Sequence, residues 1–271
     1  MKRYHLLRSS WQIMLMLMCC SYGVAYGKEK TKVTYSADHL KGGEVDGEPY
    51  VQLNDHVVFK LEKMIIYADK VLYYTKKKKV EAHGNVKIVH EDGSIMTAEE
   101  LTYEEHQAKL RKQVVYQSEE TTFYTDHFDY NTETKQGHFV QGGRLIESTN
   151  VLTSDAGDYN DISKTANFYQ NVQRNNQDYC VQCDALHYNT VTKIASFKGT
   201  TVITSQDGKQ TLTTQEGGEY NTNNQQSTFK QSQIETTTYI MSADLLRADA
   251  KRETYSATGQ IKLTFKEENV T

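Results

Sequence analysis

The sequence predicts an almost wholly β repeat protein, and three observations carry that prediction. A small residue followed by an acid, then an apolar residue and a tyrosine at alternating positions, returns from end to end. The acids are Asp38, Asp69, Glu99, Asp126, Asp155, Asp184, Glu216 and Asp244, at steps of 31, 30, 27, 29, 29, 32 and 28 residues. A near-constant period of this size marks a repeat architecture. Between the acids, apolar residues alternate at period two, which makes each half-unit a strand with one buried face. Pro49 is the only proline, and abundant Thr, Tyr and Val favour continuous β-structure over a disordered chain.

The clearest copies of the first half-unit are Ala68-Asp69-Lys70-Val71-Leu72-Tyr73, Ala98-Glu99-Glu100-Leu101-Thr102-Tyr103 and Thr125-Asp126-His127-Phe128-Asp129-Tyr130. Ser154-Asp155 with Tyr159, and Cys183-Asp184-Ala185-Leu186-His187-Tyr188, continue the series. Weaker copies are Ala37-Asp38-His39-Leu40, Gln215-Glu216 with Tyr220, and Ala243-Asp244-Leu245-Leu246, where Ala248 stands in the tyrosine position. After the tyrosine comes a polar turn, as in Asn131-Thr132-Glu133-Thr134-Lys135 and Asn189-Thr190-Val191-Thr192-Lys193. A second strand then leads to a Gly-x-Val-like site, clearest in Gly84-Asn85-Val86 and Gly259-Gln260-Ile261. Its apolar positions run Val57, Val86, Val114, Leu145, Val172, Val202, Ile234 and Ile261. Asp92-Gly93 and Asp207-Gly208 supply tight turns between units.

Two strands of about ten residues and two turns account for the period, so eight units give about sixteen antiparallel strands. A unit with one apolar face cannot bury it alone, so neighbours stack or the sheet folds over itself. A β-jellyroll, an open sandwich and a β-solenoid all satisfy this pattern, and the spacing does not choose among them.

Residues 1–27 read as a cleaved secretory signal peptide. Lys2, Arg3 and Arg8 precede the short apolar run Trp11–Cys20, and Ala25-Tyr26-Gly27 places small residues before a cut at Lys28. Cys19 and Cys20 raise lipidation as an alternative, which the bulky Leu17-Met18 before them disfavours. Residues 28–271 are expected to form one domain. Removing residues 1–27 takes away three basic residues and no acid, so the formal net charge passes from −4 to −7. An acidic balance argues against nucleic-acid partners.

The acids invite a calcium reading, but each unit offers one acid where calcium needs several converging oxygens. They are expected instead to satisfy backbone donors at a recurrent bend. Cys180 and Cys183 lack a second pair or a His-x-x-x-His to complete a zinc site, and three apart on a strand they point to opposite faces. Cys183 fills a slot held elsewhere by alanine; a disulfide between the two is the alternative. No His-Glu-x-x-His and no nucleophile elbow occurs. No catalytic residue, metal ligand or cofactor is therefore expected. The run Lys76–Lys79 reads as a solvated turn, with phosphate contact as the lesser reading.

Ala68-Asp69…Tyr73…Ala82-His83-Gly84-Asn85-Val86 resembles the OstA-like family, the LptA and LptD N-terminal group of lipopolysaccharide-transport proteins. Tyr130–Gly137, Gly142-Gly143 and Leu152-Thr153-Ser154 are similar to its Bacteroidota-type branch. The resemblance implies an open β-jellyroll with a hydrophobic groove, in the periplasm, carrying lipopolysaccharide toward the outer membrane. It implies partners among the inner- and outer-membrane transport components, joined by edge-strand addition around Lys32–Ser36 and Glu253–Lys266, and head-to-tail self-association. Groove candidates are Val71, Leu101, Phe128 and Leu186 with the series Val57, Val86, Val114, Leu145, Val172, Val202, Ile234 and Ile261. No long C-terminal barrel follows, so a full LptD is not expected. The alternative reading is an exported β-solenoid with a structural or adhesive role. A solenoid polysaccharide lyase comes third, for want of an acid–base cluster.

Overall fold

A computed structural model describes residues 33–61, 64–91, 93–117, 121–252 and 254–266. The expected signal peptide, Cys19, Cys20 and Asp92 lie outside them. Among the described residues the regular elements are twenty β-strands. Four strands are interrupted, three of them at the acid of the repeat and the last at its Gly-x-Val site. They are β1 (Val33–Ser36) with β2 (His39–Val45), β10 (Asn150–Ser154) with β11 (Ala156–Asn160), β15 (Gln210–Thr214) with β16 (Gly218–Asn221), and β19 (Thr254–Thr258) with β20 (Lys262–Phe265). Counting each interrupted pair as one strand leaves the sixteen that the repeat predicts. The protein is all-β, of the open jellyroll type.

The strands fall into two compact units. The N-terminal unit holds residues 33–145 with 160–162, and the C-terminal unit holds 146–159 and 163–266. In the first, β3 (Glu48–Leu61), β4 (Met64–Tyr74), β5 (Lys79–His90), β6 (Ile95–Glu104), β7 (Gln107–Gln117) and β8 (Thr121–Asn131) pair in chain order, followed by β9 (Gln136–Glu147). In the second, β12 (Thr165–Asn175), β13 (Tyr179–Asn189) and β14 (Ile194–Ser205) do the same, as do β17 (Gln226–Thr236) and β18 (Tyr239–Asp249). Each pairing is antiparallel. A β-helical solenoid would instead stack its coils in parallel, so that alternative is set aside.

Within each unit every long strand bends once, at the acid. On β4, Ile66 and Ala68 are buried at the normal spacing of two, but the next buried residue is Val71, three further on. The shift is made by a β-bulge on the neighbouring strand, where Gly84 and Asn85 have φ of 74° and 48°. Asp55-His56 and Lys112-Gln113 repeat it in the N-terminal unit, and Gln170-Asn171 does so in the C-terminal unit. Bulges sharpen local twist and turn a strand. Here they align into a crease that folds each unit's sheet onto itself. Phe123 and Phe128, five apart on β8, would lie about 16 Å apart and on opposite faces of a flat strand. Their ring centroids are 6.3 Å apart, and Phe123 meets Phe139 at 5.0 Å. Phe59 meets Tyr73 in the same way at 5.3 Å. In the C-terminal unit Ile234 and Met241 pack with Leu246 from beyond the crease.

Each unit therefore has two leaves, joined at the crease. Leaf A carries the half-strands after each Gly-x-Val site, and leaf B the half-strands running to each tyrosine. The turns closing leaf B follow one chemistry. Asn131, Asn189 and Asn221 each accept two backbone N–H groups through Oδ1, and Lys135, Lys193 and Gln225 end the turn at φ near +60°. The polar turns read from the sequence are these Asx turns.

Candidate functional site

The acids bind the crease. Asp69 accepts Asn85 Nδ2 at 2.9 Å, and Asp155 accepts Asn171 Nδ2 at 2.6 Å. Asp126, Asp184 and Asp244 accept the backbone N–H groups of Gln113, Thr200 and Gln260 at 3.0, 3.0 and 2.9 Å. Asp38 receives the His56 ring at 2.7 Å. A left-handed residue other than glycine costs about 1–2 kcal/mol, and a charge-assisted bond to the bulge offsets that. Gly84 and Gly199 also leave room for the carboxylate, since an added Cβ would sit 2.4 Å from Asp69 Oδ2 and 2.0 Å from Asp184 Oδ2. The expectation that the acids serve backbone donors at a bend holds for Asp126, Asp184 and Asp244, whereas Asp38, Asp69 and Asp155 bond the side chain of a bulge residue instead. At the seventh unit one extra residue shifts the register. Gln215, accepting Thr200 Oγ1 at 3.2 Å, holds the rung that the spacing assigned to Glu216.

The interior between the leaves is the candidate site. Val57, Val86, Val114 and Leu145 line leaf A of the N-terminal unit, and Val71, Leu101 and Phe128 line its leaf B. All but the half-buried Phe128 are buried. Most lie in the rows nearest the crease, the deepest part of the fold, and Val71 is fully enclosed at 0% exposure. In the C-terminal unit Val172, Leu186 and Ile234 are likewise buried, and Ile261 is 54% exposed beside the terminal strand β20. Val202 is a correction. It pairs with Gln182 and Thr213 on the outer face, whereas Thr201, at 0% exposure, fills the slot of Val86. The motif there is Gly199-Thr200-Thr201, so reading Val202 into the series slipped by one residue, and one residue inverts the facing of a strand.

Farther from the crease stands a ladder of inward tyrosines, displayed by the repeat but outside the groove candidates. Tyr103 and Tyr130 belong to the N-terminal unit, and Tyr188 and Tyr220 to the C-terminal unit; all four are buried. Burial pushes Tyr220 up to about 12, against the opposing attraction of Arg174. Facing them in the N-terminal unit are Phe59, Ile66, Ile88 and Tyr116 of leaf A, all buried. The C-terminal unit places Arg174 in that position. Its guanidinium donates to Asn150 Oδ1 at 2.7 Å, and burial lowers its pKa to about 10, which leaves it charged at neutral pH.

At the crease of the C-terminal unit hydroxyls are more frequent than in the N-terminal unit, where Thr125 Oγ1 donates to Gly142 O. Thr201 Oγ1 donates to Gly199 O, Ser154 Oγ to Ala156 O and Thr214 Oγ1 to Gly217 O. Cys183 lies on the inner face and Cys180 on the outer, as their spacing predicts, and both are free thiols. Burial pushes the Cys183 thiol up to about 12, so it packs as a small apolar group.

The terminal strands leave apolar side chains uncovered. Leu40 pairs opposite the buried Leu53, and Leu263 opposite the buried Met241, yet Leu40 and Leu263 are exposed, as is Phe265. Nearly every residue of β1, β2, β19 and β20 is exposed.

A creased antiparallel sheet with apolar inner leaves and bare terminal strands defines an open β-jellyroll. The model of the OstA-like protein family matches residues 30–184, more than half of the chain, and the chain belongs to that family. The family is one of periplasmic lipid transport and binding, not of catalysis. Comparison with curated proteins gave no significant match.

Proposed function

We propose that the protein is a periplasmic carrier that binds lipopolysaccharide between its leaves and forms part of the bridge taking it to the outer membrane. The observation that supports this most is the apolar lining of both leaves in the N-terminal unit, joined along only one line. The leaves touch through rings such as Phe59 and Tyr73, so loading requires them to part about the crease while acyl chains replace ring–ring contacts. The crease can act as the hinge because its bonds run along its own line, between acid and bulge. The sugar portion then stays in water beyond the tyrosines.

The bare strands β1 and β2 at one terminus, and β19 and β20 at the other, suit edge-strand addition to inner- and outer-membrane transport components or to a second copy, head to tail. An exported adhesive or scaffolding role would leave the inner leaves as plain core. Site-specific photo-crosslinking in cells, from Val86, Leu101 and Tyr116, separates the two. Labelled lipopolysaccharide is expected at these positions, and its absence at all of them would sink the carrier reading.

A further inference from the structure

The outer face of leaf A in the N-terminal unit is also apolar, and packing within the unit does not account for it. Tyr67 pairs with Val58 on one side and Lys87 on the other, and Val115 pairs with Tyr124 two strands away. In the next row outward Ile65, Val89 and Ile95 lie directly opposite one another. These side chains alternate with buried ones such as Ile66 and Ile88, so they point away from the interior. Tyr67 and Tyr124 are 39% and 40% exposed. The matching rows of the C-terminal unit are mainly polar: Gln173, Gln182, Thr213, Gln233 and Ser242 with Val202 in the first, and Asn175, Thr204, Thr211 and Glu235 with Cys180 and Ile240 in the second. One wet face is polar in the ordinary way, and the other is not.

Charge identifies the occupant. Lys60 and Lys87, both exposed, stand within the two apolar rows, and no carboxylate does. Among the described residues the nearest acids, Asp69, Glu99 and Asp126, belong to the crease, and Glu91 lies at the turn beyond; in sequence Glu62, Asp92, Glu119 and Glu120 follow the rows. Protein interfaces deplete lysine at their centres. Aliphatic side chains with tyrosine and lysine at one level instead match the boundary of a bilayer, where rings sit among headgroups and ammonium groups meet phosphates. We propose that this face docks on the surface of an anionic phospholipid bilayer, and so holds the N-terminal unit against the membrane while its interior is loaded or emptied. Docking uses the outside of leaf A, so it does not depend on what the interior carries.

From Lys28 onward the chain has no tryptophan, because Trp11 is the only one. A Tyr67→Trp substitution in the chain freed of residues 1–27 is therefore a single reporter. Vesicles of phosphatidylcholine with phosphatidylglycerol, free of lipopolysaccharide, are expected to shift its emission to the blue. A Ser242→Trp reporter on the C-terminal unit stays unchanged. Lys60→Glu with Lys87→Glu lowers vesicle partitioning about tenfold or more, with the thermal melt showing that the fold persists. No shift at Tyr67→Trp, or equal shifts at both reporters, overturns the proposal. So does a concentration-dependent dimer that Tyr67→Ser with Tyr124→Ser disperses, which would assign the face to a second copy. Crosslinking of lipopolysaccharide to Val86 or Leu101 is a separate readout, so either idea can fail without the other.

Discussion

The two units fold the same repeat in different chemistries. At the crease the slot of Val86 holds Val57, Val86 and Val114 in the N-terminal unit and Val172, Thr201 and Ser232 in the C-terminal unit, while the slot opposite holds Ala68, Ala98 and Thr125 in the first and Ser154, Cys183, Thr214 and Ala243 in the second. Toward the open side the N-terminal unit has Phe59, Ile88 and Tyr116, and the C-terminal unit has Arg174 bonded to Asn150. Even the outer faces differ, largely aliphatic and aromatic in one and largely amide and hydroxyl in the other. The shared features are the bulges and their acids. The crease thus sets the fold, and the residues beside it set what each unit can hold. An apolar interior accepts acyl chains without desolvating polar groups, whereas an interior lined by a guanidinium and more hydroxyls offers them less apolar surface. The carrier proposal therefore assigns the lipid to the N-terminal unit.

The largest effect falls on what the units share. Gly84→Ala forces a side chain into the Asp69 carboxylate at φ +74°, and Gly199→Ala does the same at Asp184. Each is expected to cost about 1–3 kcal/mol in urea unfolding. If only one does, the crease is not a common device. Arg174→Met sharpens the contrast. Exchanging a buried charge for an apolar side chain of similar length is often neutral or stabilising, so the C-terminal unit should keep its stability within about 1 kcal/mol or gain. Loss of the fold would make Arg174 an organiser of that unit. Thiol alkylation gives a finer test of facing. Native protein should react at Cys180 and not at Cys183 until it is unfolded, and equal rates would contradict the inner placement. The smallest effect is at the N-terminal edge. Hydrogen bonding and attraction to Asp38 raise the pKa of His56 above 6.5. This contribution is fully present below the unfolded value and is lost as pH rises through the folded one. Amide exchange in β1 and β2 should quicken between those conditions and pH 8.5, and an unchanged rate would remove the link.

Much of this was legible in the sequence because it is local. Period, strand number, Asx turns and the use of the acids at a bend all depend on residues within one unit of the repeat. Errors came where a single residue slips. Thr200-Thr201-Val202 offers two candidates for one slot, and the extra residue near Gly217 displaces Glu216 from its rung. The fold-over itself was open, since alternation says which residues share a face but not which face meets which. Ile65-Ile66-Tyr67 is apolar on both sides, so period two is blind to the outer patch. Arg174, in Val172-Gln173-Arg174-Asn175, reads as solvated, and only the partner Asn150, far off in sequence, reveals its burial.

The central claim is that the leaves of the N-terminal unit part to admit lipid. Lys109 and Gln117 are both exposed on β7, on leaf B and leaf A on either side of the crease. Spin labels at Lys109→Cys and Gln117→Cys, with Cys180 and Cys183 replaced by serine and alanine, report the spread of the leaves as one electron–electron distance. Added lipopolysaccharide is predicted to lengthen that distance, in proportion to bound ligand. A distance that stays fixed while lipopolysaccharide binds would place the ligand elsewhere and contradict the account.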